Sequence, residues 1–208
     1  IENLEVVRGQ YAEQTLDILE LLTQSGEYAI IGLDSTAALV PKEELDGSTE
    51  DWQMGLTARL MGKTMRKAYR GLNEATRAGG TTTIFLLNQI RFKIGVMFGS
   101  PETTPGGNAA KYASAIRLDL RKEEMLKNAN EIVYGQVSRY TTIKNKTAPP
   151  LRKGMFTILL DGARKGEIAN ISALVDLGIH TGKIVQGGSW YSGDWLETKA
   201  QGKDKVIL

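Results

Sequence analysis

The residues with most chemistry to offer sit where apolar runs end. Asp34 and Ser35 follow directly on Tyr28–Leu33, YAIIGL. Open α/β sheets bind ligands at the carboxyl ends of their strands, so an acid here is placed for a magnesium–phosphate group; a helix cap or a hydrogen-bonded turn suits the same pattern. Asn88 and Gln89 end a second run, Ile84–Leu87, that follows a threonine triplet. An amide at that point could bond a terminal phosphate and pass its presence to the attached loop, or could simply pair with sheet-edge backbone. Lys144 and Lys146 flank Asn145. On a strand they share a side, which suits two cations on one anion and equally suits an edge guarded against aggregation.

A second kind of chemistry runs from Arg91 to Asn108. Arg91 and Lys93 alternate with Phe92, Ile94, Val96, Met97 and Phe98, and then come Gly99, Pro101, Pro105, Gly106 and Gly107. With neither helical nor strand period, this reads as a mobile loop that orders on a partner, its cations meeting phosphates and its apolar side chains meeting base faces. The plain alternative is a long surface loop with incidental aromatics. Arg59, Lys63, Arg66, Lys67 and Arg70 form a basic side at helical spacing, a pattern that most often means a solvated face. Trp52, in a polar setting, suits a helix-start anchor as well as base stacking.

The elements that must position these groups follow from periodicity. Residues 10–25 read as a helix stopped by Gly26, and residues 28–33 as a strand buried on both faces. Residues 41–53 read as a polar loop, 54–78 as a long helix ended by Gly79 and Gly80, and 82–87 as a strand. Beyond the loop, 109–120 reads as a strand preceded by a helical turn, and 132–146 and 154–161 as strands of an antiparallel extension. The segment KEEMLKNAN between them reads as a turn or flexible loop. Near the end, Asn170 caps a helix through ISALVDLGI, His180 closes it, and GGSWYS makes a hairpin turn. The expected class is α/β, with residues 1–160 as one core and 161–208 as a small lobe.

Composition narrows the function. The chain has 208 residues, 41% of them hydrophobic and 24% charged, which is ordinary for a globular protein. A net charge of +2 means that any basic surface must be local. With no cysteine and one histidine, thiolate metal sites, disulfides and a histidine triad are set aside. No apolar run reaches the roughly 18 residues of a membrane span. The chain starts at Ile1 rather than Met, and the expectation is that upstream residues are missing.

Asn88-Gln89-Ile90-Arg91, Lys93-Ile94-Gly95-Val96-Met97-Phe98-Gly99, Pro101-Glu102-Thr103-Thr104 and Gly106-Gly107-Asn108 together closely resemble the second DNA-binding loop of the RecA family of bacterial-type homologous recombinases. LDSTAALVPKEEL resembles that family's Walker B segment, and the likeness runs through about residues 10–200. The resemblance implies a RecA-like ATPase core with a mostly parallel central sheet flanked by helices, an antiparallel extension and a small C-terminal α+β lobe. It implies a cytoplasmic, DNA-dependent ATPase that filaments on single-stranded DNA, pairs it with double-stranded DNA and exchanges strands, using ATP and Mg2+. Under it, Asp34 serves Mg2+ and, with Ser35, the nucleotide; Gln89 senses the γ-phosphate; and Lys144 and Lys146 reach a neighbouring subunit's ATP. DNA contacts fall to Met54, Gly55, Arg59, Arg66, Arg91, Phe92, Lys93, Ile94, Gly95, Phe98, Glu102, Gly106, Gly107, Asn108, Arg121 and Lys122, with Tyr112 at the subunit interface. The family's glycine-rich phosphate loop is not found in these residues. A truncated recombinase is the expectation, and a non-catalytic, DNA-binding or filament-modulating paralogue the alternative. A hexameric helicase with the same core is disfavoured by the Phe98–Thr104 segment.

Overall fold

Two apolar strands need a crossover to lie parallel, and a long amphipathic helix supplies it. In the computed structural model, which describes residues 3–47, 55–169, 171–194, 198–202 and 206, strand β1 (Ile30–Leu33) pairs in parallel with β2 (Thr83–Leu86) from Ile30 opposite Thr83 to Leu33 opposite Leu86. Helix α1 (Ala12–Ser25) precedes them and ends on Gly26 in the left-handed conformation. The short α2 (Lys42–Asp46) and the 22-residue α3 (Leu56–Arg77) lie between the strands. Leu16 and Leu19 of α1, Ile31 and Leu33 of β1, and Met61 and Met65 of α3 form one core.

β1 is not buried on both faces as its sequence predicts. Ile31 and Leu33 face the helices, while Ile30 stays 67% exposed and Phe85 on β2 51% exposed. Among the described residues α1 and α3 pack one face only, and an unbroken apolar run cannot say from how many sides it is covered. The 41–53 loop also carries a helical turn, α2, where Lys42–Asp46 lack any breaker.

The chain divides into two units, 1–114 and 115–208. In the first, β3 (Arg91–Phe92) and β4 (Glu102–Thr103) form a small antiparallel ribbon, followed by α4 (Ala109–Ala113). In the second, β5 (Ile116–Lys127), β6 (Val133–Asn145), β7 (Lys153–Leu159) and β8 (Ile168–Ala169) make an antiparallel sheet in chain order. Residues 122–127 therefore belong to a strand rather than to the predicted flexible loop. Two of the three irregularities in the β5–β6 ladder, at Lys122/Glu124 and Leu126/Lys127, fall here and disturb the alternation that would have marked it. The turn itself is confined to residues 128–132, where the Asn128 side chain accepts from the amides of Asn130 and Ile132.

Helix α5 (Ile171–His180) and the strands β9 (Val185–Gly187), β10 (Trp190–Ser192) and β11 (Ala200–Gln201) complete the second unit. Val175, Ile184, Tyr191 and Val206 form its core there. His180 closes α5 and the hairpin turns within GGSWYS, as expected. The cap assigned to Asn170 lies outside the described residues. No described helix is long and apolar enough to cross a membrane.

Candidate functional site

In the first unit the groups singled out at the strand ends are tied to one another. Asp34 leaves β1 exposed to solvent, and Ser35 opens a single 3-10 turn, Thr36–Ala38. Thr36, buried at 1% exposure, donates twice to the Leu87 carbonyl, through its amide at 2.9 Å and its hydroxyl at 3.0 Å. Leu87 immediately precedes Asn88 and Gln89, so the turn after Asp34 and the end of β2 are pinned side by side. The Asn88 carboxamide donates to the Pro105 carbonyl at 3.0 Å and accepts from the Gln89 amide at 2.8 Å. Gln89 itself is exposed.

Pro105 leads into Gly106 and Gly107, both at positive φ. A β-carbon on Gly107 would lie 2.8 Å from that of Ala58, and one on Gly106 3.3 Å from the Met61 side chain, so only glycine lets the loop's exit settle on α3 there. Arg59 and Arg66 project from the solvent side of that same helix. The expected DNA contacts Gly55, Arg59, Arg66, Gly106, Gly107 and Asn108 thus come together around the first half of α3. Met54 and Trp52 lie outside the described residues.

The rest of the loop is held at its feet and bare at its tip. The β3–β4 ribbon sets Arg91 opposite Thr103 and Phe92 opposite Glu102, and Lys93 adds a bond to the Pro101 carbonyl at 2.9 Å. Beyond it Ile94 and Met97 are almost wholly exposed and Phe98 is 91% exposed, with Gly95 and Gly99 at positive φ. An apolar tip so bare in water takes no part in the core of its unit.

Lys144, Lys146, Arg121 and Lys122 all belong to the second unit. Lys144 stands opposite Arg117 on β5, and Lys146, one residue past β6, keeps the ladder through its amide to the Ala115 carbonyl at 3.0 Å. Burial pushes the Lys144 ammonium below its ordinary value, and the charges of Lys146 and Arg117 push it the same way. Three cations crowd there, which favours an anion between them. Sequence spacing gave two of them; cross-strand register adds Arg117. Arg121 is engaged on its own strand, its Nε donating to both Asp119 oxygens at 3.0 and 3.1 Å. Tyr112 is exposed on α4.

Thr36, Asn88 and Pro105 are the positioning residues that sequence reasoning missed in this role. Asn88 and Pro105 left a signal, an amide following an apolar run and a proline preceding paired glycines, and Thr36 left none. The tripeptide Gly62-Lys63-Thr64 has the last letters of a phosphate loop, yet it lies inside α3, where helical amides are already bonded and Thr64 is buried.

An α/β protein with an exposed, basic and apolar loop rooted beside an acidic strand end is the class these features define. The family model described as RecA N-terminal domain matches residues 1–164. The chain is 44% identical to a Protein RecA of Frankia alni over 208 residues, 99% of this chain and 56% of that protein. It is 42% identical to a Protein RecA of Methylococcus capsulatus, covering 100% of this chain and 57% of that one. It is 44% identical to a Protein RecA of Cutibacterium acnes, covering 99% and 56%. The chain belongs to the RecA family and spans a little over half the length of these curated relatives.

Proposed function

We propose that this chain supplies the DNA-gripping and signal-relaying part of a cytoplasmic RecA-type recombinase, a DNA-dependent ATPase that filaments on single-stranded DNA and exchanges strands with a homologous duplex. The observation that carries the reading is the physical continuity from the turn after Asp34, through Thr36 and Leu87 to Asn88 and Pro105, and on to the glycines resting on α3. A phosphate held at one end would bear on the loop at the other. In this reading β1 and β2 belong to a mostly parallel central sheet, β5 to β8 form an antiparallel sheet, and residues 161–208 form a small α+β lobe.

The residues present fit part of an ATP site. Among the described residues no three of His, Cys, Asp and Glu gather to hold a metal unaided. Mg2+ would be held by Asp34 together with nucleotide phosphates and water, where it neutralises phosphate charge. Gln89 would bond the terminal phosphate, Ser35 would flank it, and Lys144 and Lys146 would reach the ATP of an adjoining subunit in a homo-oligomeric filament. The single strand would lie against Arg59, Arg66 and the backbone at Gly106–Asn108, with Phe98, Ile94 and Phe92 against base faces and Arg91, Lys93, Arg121 and Lys122 near phosphates. Met54, Gly55, Gly95 and Glu102 complete the two loops' contacts.

The test is single-stranded DNA binding across a salt series, with and without ATP, read by fluorescence anisotropy. Steep salt dependence with apolar-tip dependence is expected; binding that is insensitive to salt, or absent, would overturn the reading.

A further inference from the structure

Helix α3 carries more cation than the reading above uses. Arg59, Lys63, Arg66 and Arg70 follow one another at spacings of four, three and four residues. At 3.6 residues per turn those positions fall within roughly 60° of helix circumference and run for about 16 Å along the axis. All four are exposed. Their neighbours on the helix do other things: Met61, Thr64, Met65 and Ala68 are buried, and Lys67 is turned aside to an ion pair with Glu20 of α1. Arg70 is shared with Glu74, Nε to Oε1 at 2.8 Å. No described acidic side chain pairs with Arg59, Lys63 or Arg66.

We propose that Lys63 is a backbone-phosphate contact in its own right, the middle rung of a cation ladder on α3 along which a single nucleic-acid strand runs. Two features place the strand there. The loop's exit rests on Ala58 and Met61, the turn from which Arg59 and Lys63 project. Beside Lys63, Gly62 has no side chain and, with Arg66, Met65, Tyr69, Ala109 and Ala113, lines an open groove of about 380 Å³. A β-carbon at Gly62 would meet nothing nearer than 3.8 Å, so the helix surface between Arg59 and Arg66 stays low and a strand can approach it closely. Rungs about 5–6 Å apart offer a cation at each helical turn to a polyanion lying alongside. Lys63 contributes charge without hydrogen-bond readout of bases, so its contact is indifferent to sequence.

The inference rests on the proposed DNA-binding role, and the test separates the two. Wild-type chain, Lys63→Gln, Lys63→Arg and Lys67→Gln are titrated with labelled oligo-dT and with a mixed-sequence strand of equal length from low to high salt. Lys63→Gln is expected to lower the slope of log K against log salt by about 0.7, the loss of one phosphate contact on a single strand, which is about fivefold in affinity at 0.1 M salt. The loss should be equal on both sequences, and Lys63→Arg should keep the wild-type slope. Lys67→Gln removes the same charge from the same helix but from the α1 side, and is expected to leave the slope unchanged. A wild-type slope for Lys63→Gln, or equal losses for Lys63→Gln and Lys67→Gln, would overturn the ladder while leaving the loops as the DNA site. Absence of salt-dependent binding by the wild type would overturn both readings.

Discussion

Phe98 contributes almost nothing to the folded chain on its own account, because nine-tenths of its surface stays in water. Phe98→Ala should therefore leave the melting temperature within about 1 °C of wild type, while costing about 1–3 kcal/mol of single-strand affinity if the ring stacks on a base. Lys144 is the opposite kind of residue, set by its neighbours. With its native value depressed, the folded chain binds fewer protons than the unfolded one in the alkaline window below the ordinary lysine value, so its contribution to stability rises with pH across that window. Lys146→Ala should move the Lys144 midpoint up in an NMR titration of its ammonium, and ATP should do the same in the wild type; a midpoint indifferent to both would remove the shared-anion role. Thr36 contributes through one buried hydroxyl. Thr36→Val keeps the shape and the amide bond but loses the second donor to Leu87, an expected cost of about 0.5–1.5 kcal/mol by urea unfolding.

At the scale of elements, what could be seen in the sequence is what periodicity encodes. Helices α1 and α3 fall within two residues of their expected ends because an apolar stripe and glycine stops mark them. The pairing of Arg117 with Lys144 was not legible, since a strand's own residues do not state its register. Neither were the bonds of Thr36 and Asn88, which join segments 51 and 17 residues apart. The antiparallel sheet gives a further example. Gly154 faces Tyr140 across β6 and β7, and a β-carbon there would collide with the Tyr140 ring, so the glycine is needed for the ring to lie flat across the ladder. Gly154→Ala should push the ring off its partner strand and destabilise the sheet by about 1–3 kcal/mol, measured by thermal unfolding.

For the whole molecule, a net charge of only +2 means that the field is made by local arrangement and not by surplus. Basic groups are concentrated on α3, at the loop's base and at the Arg117–Lys144–Lys146 corner; acids pair with part of the α3 charge, as in Lys67–Glu20 and Arg70–Glu74, and with charge elsewhere, as in Lys127–Glu131 and Arg164–Glu167. Each unit also has its own apolar core. Neither core uses the loop tip. Because the β3–β4 ribbon already brings the loop's feet together, the chain between them is a closed ring whose length costs little to change, about 0.6 kcal/mol per doubling. That frees the tip from the demands of folding: residues between Lys93 and Pro101 can drift, lengthen or be replaced while the scaffold keeps its shape.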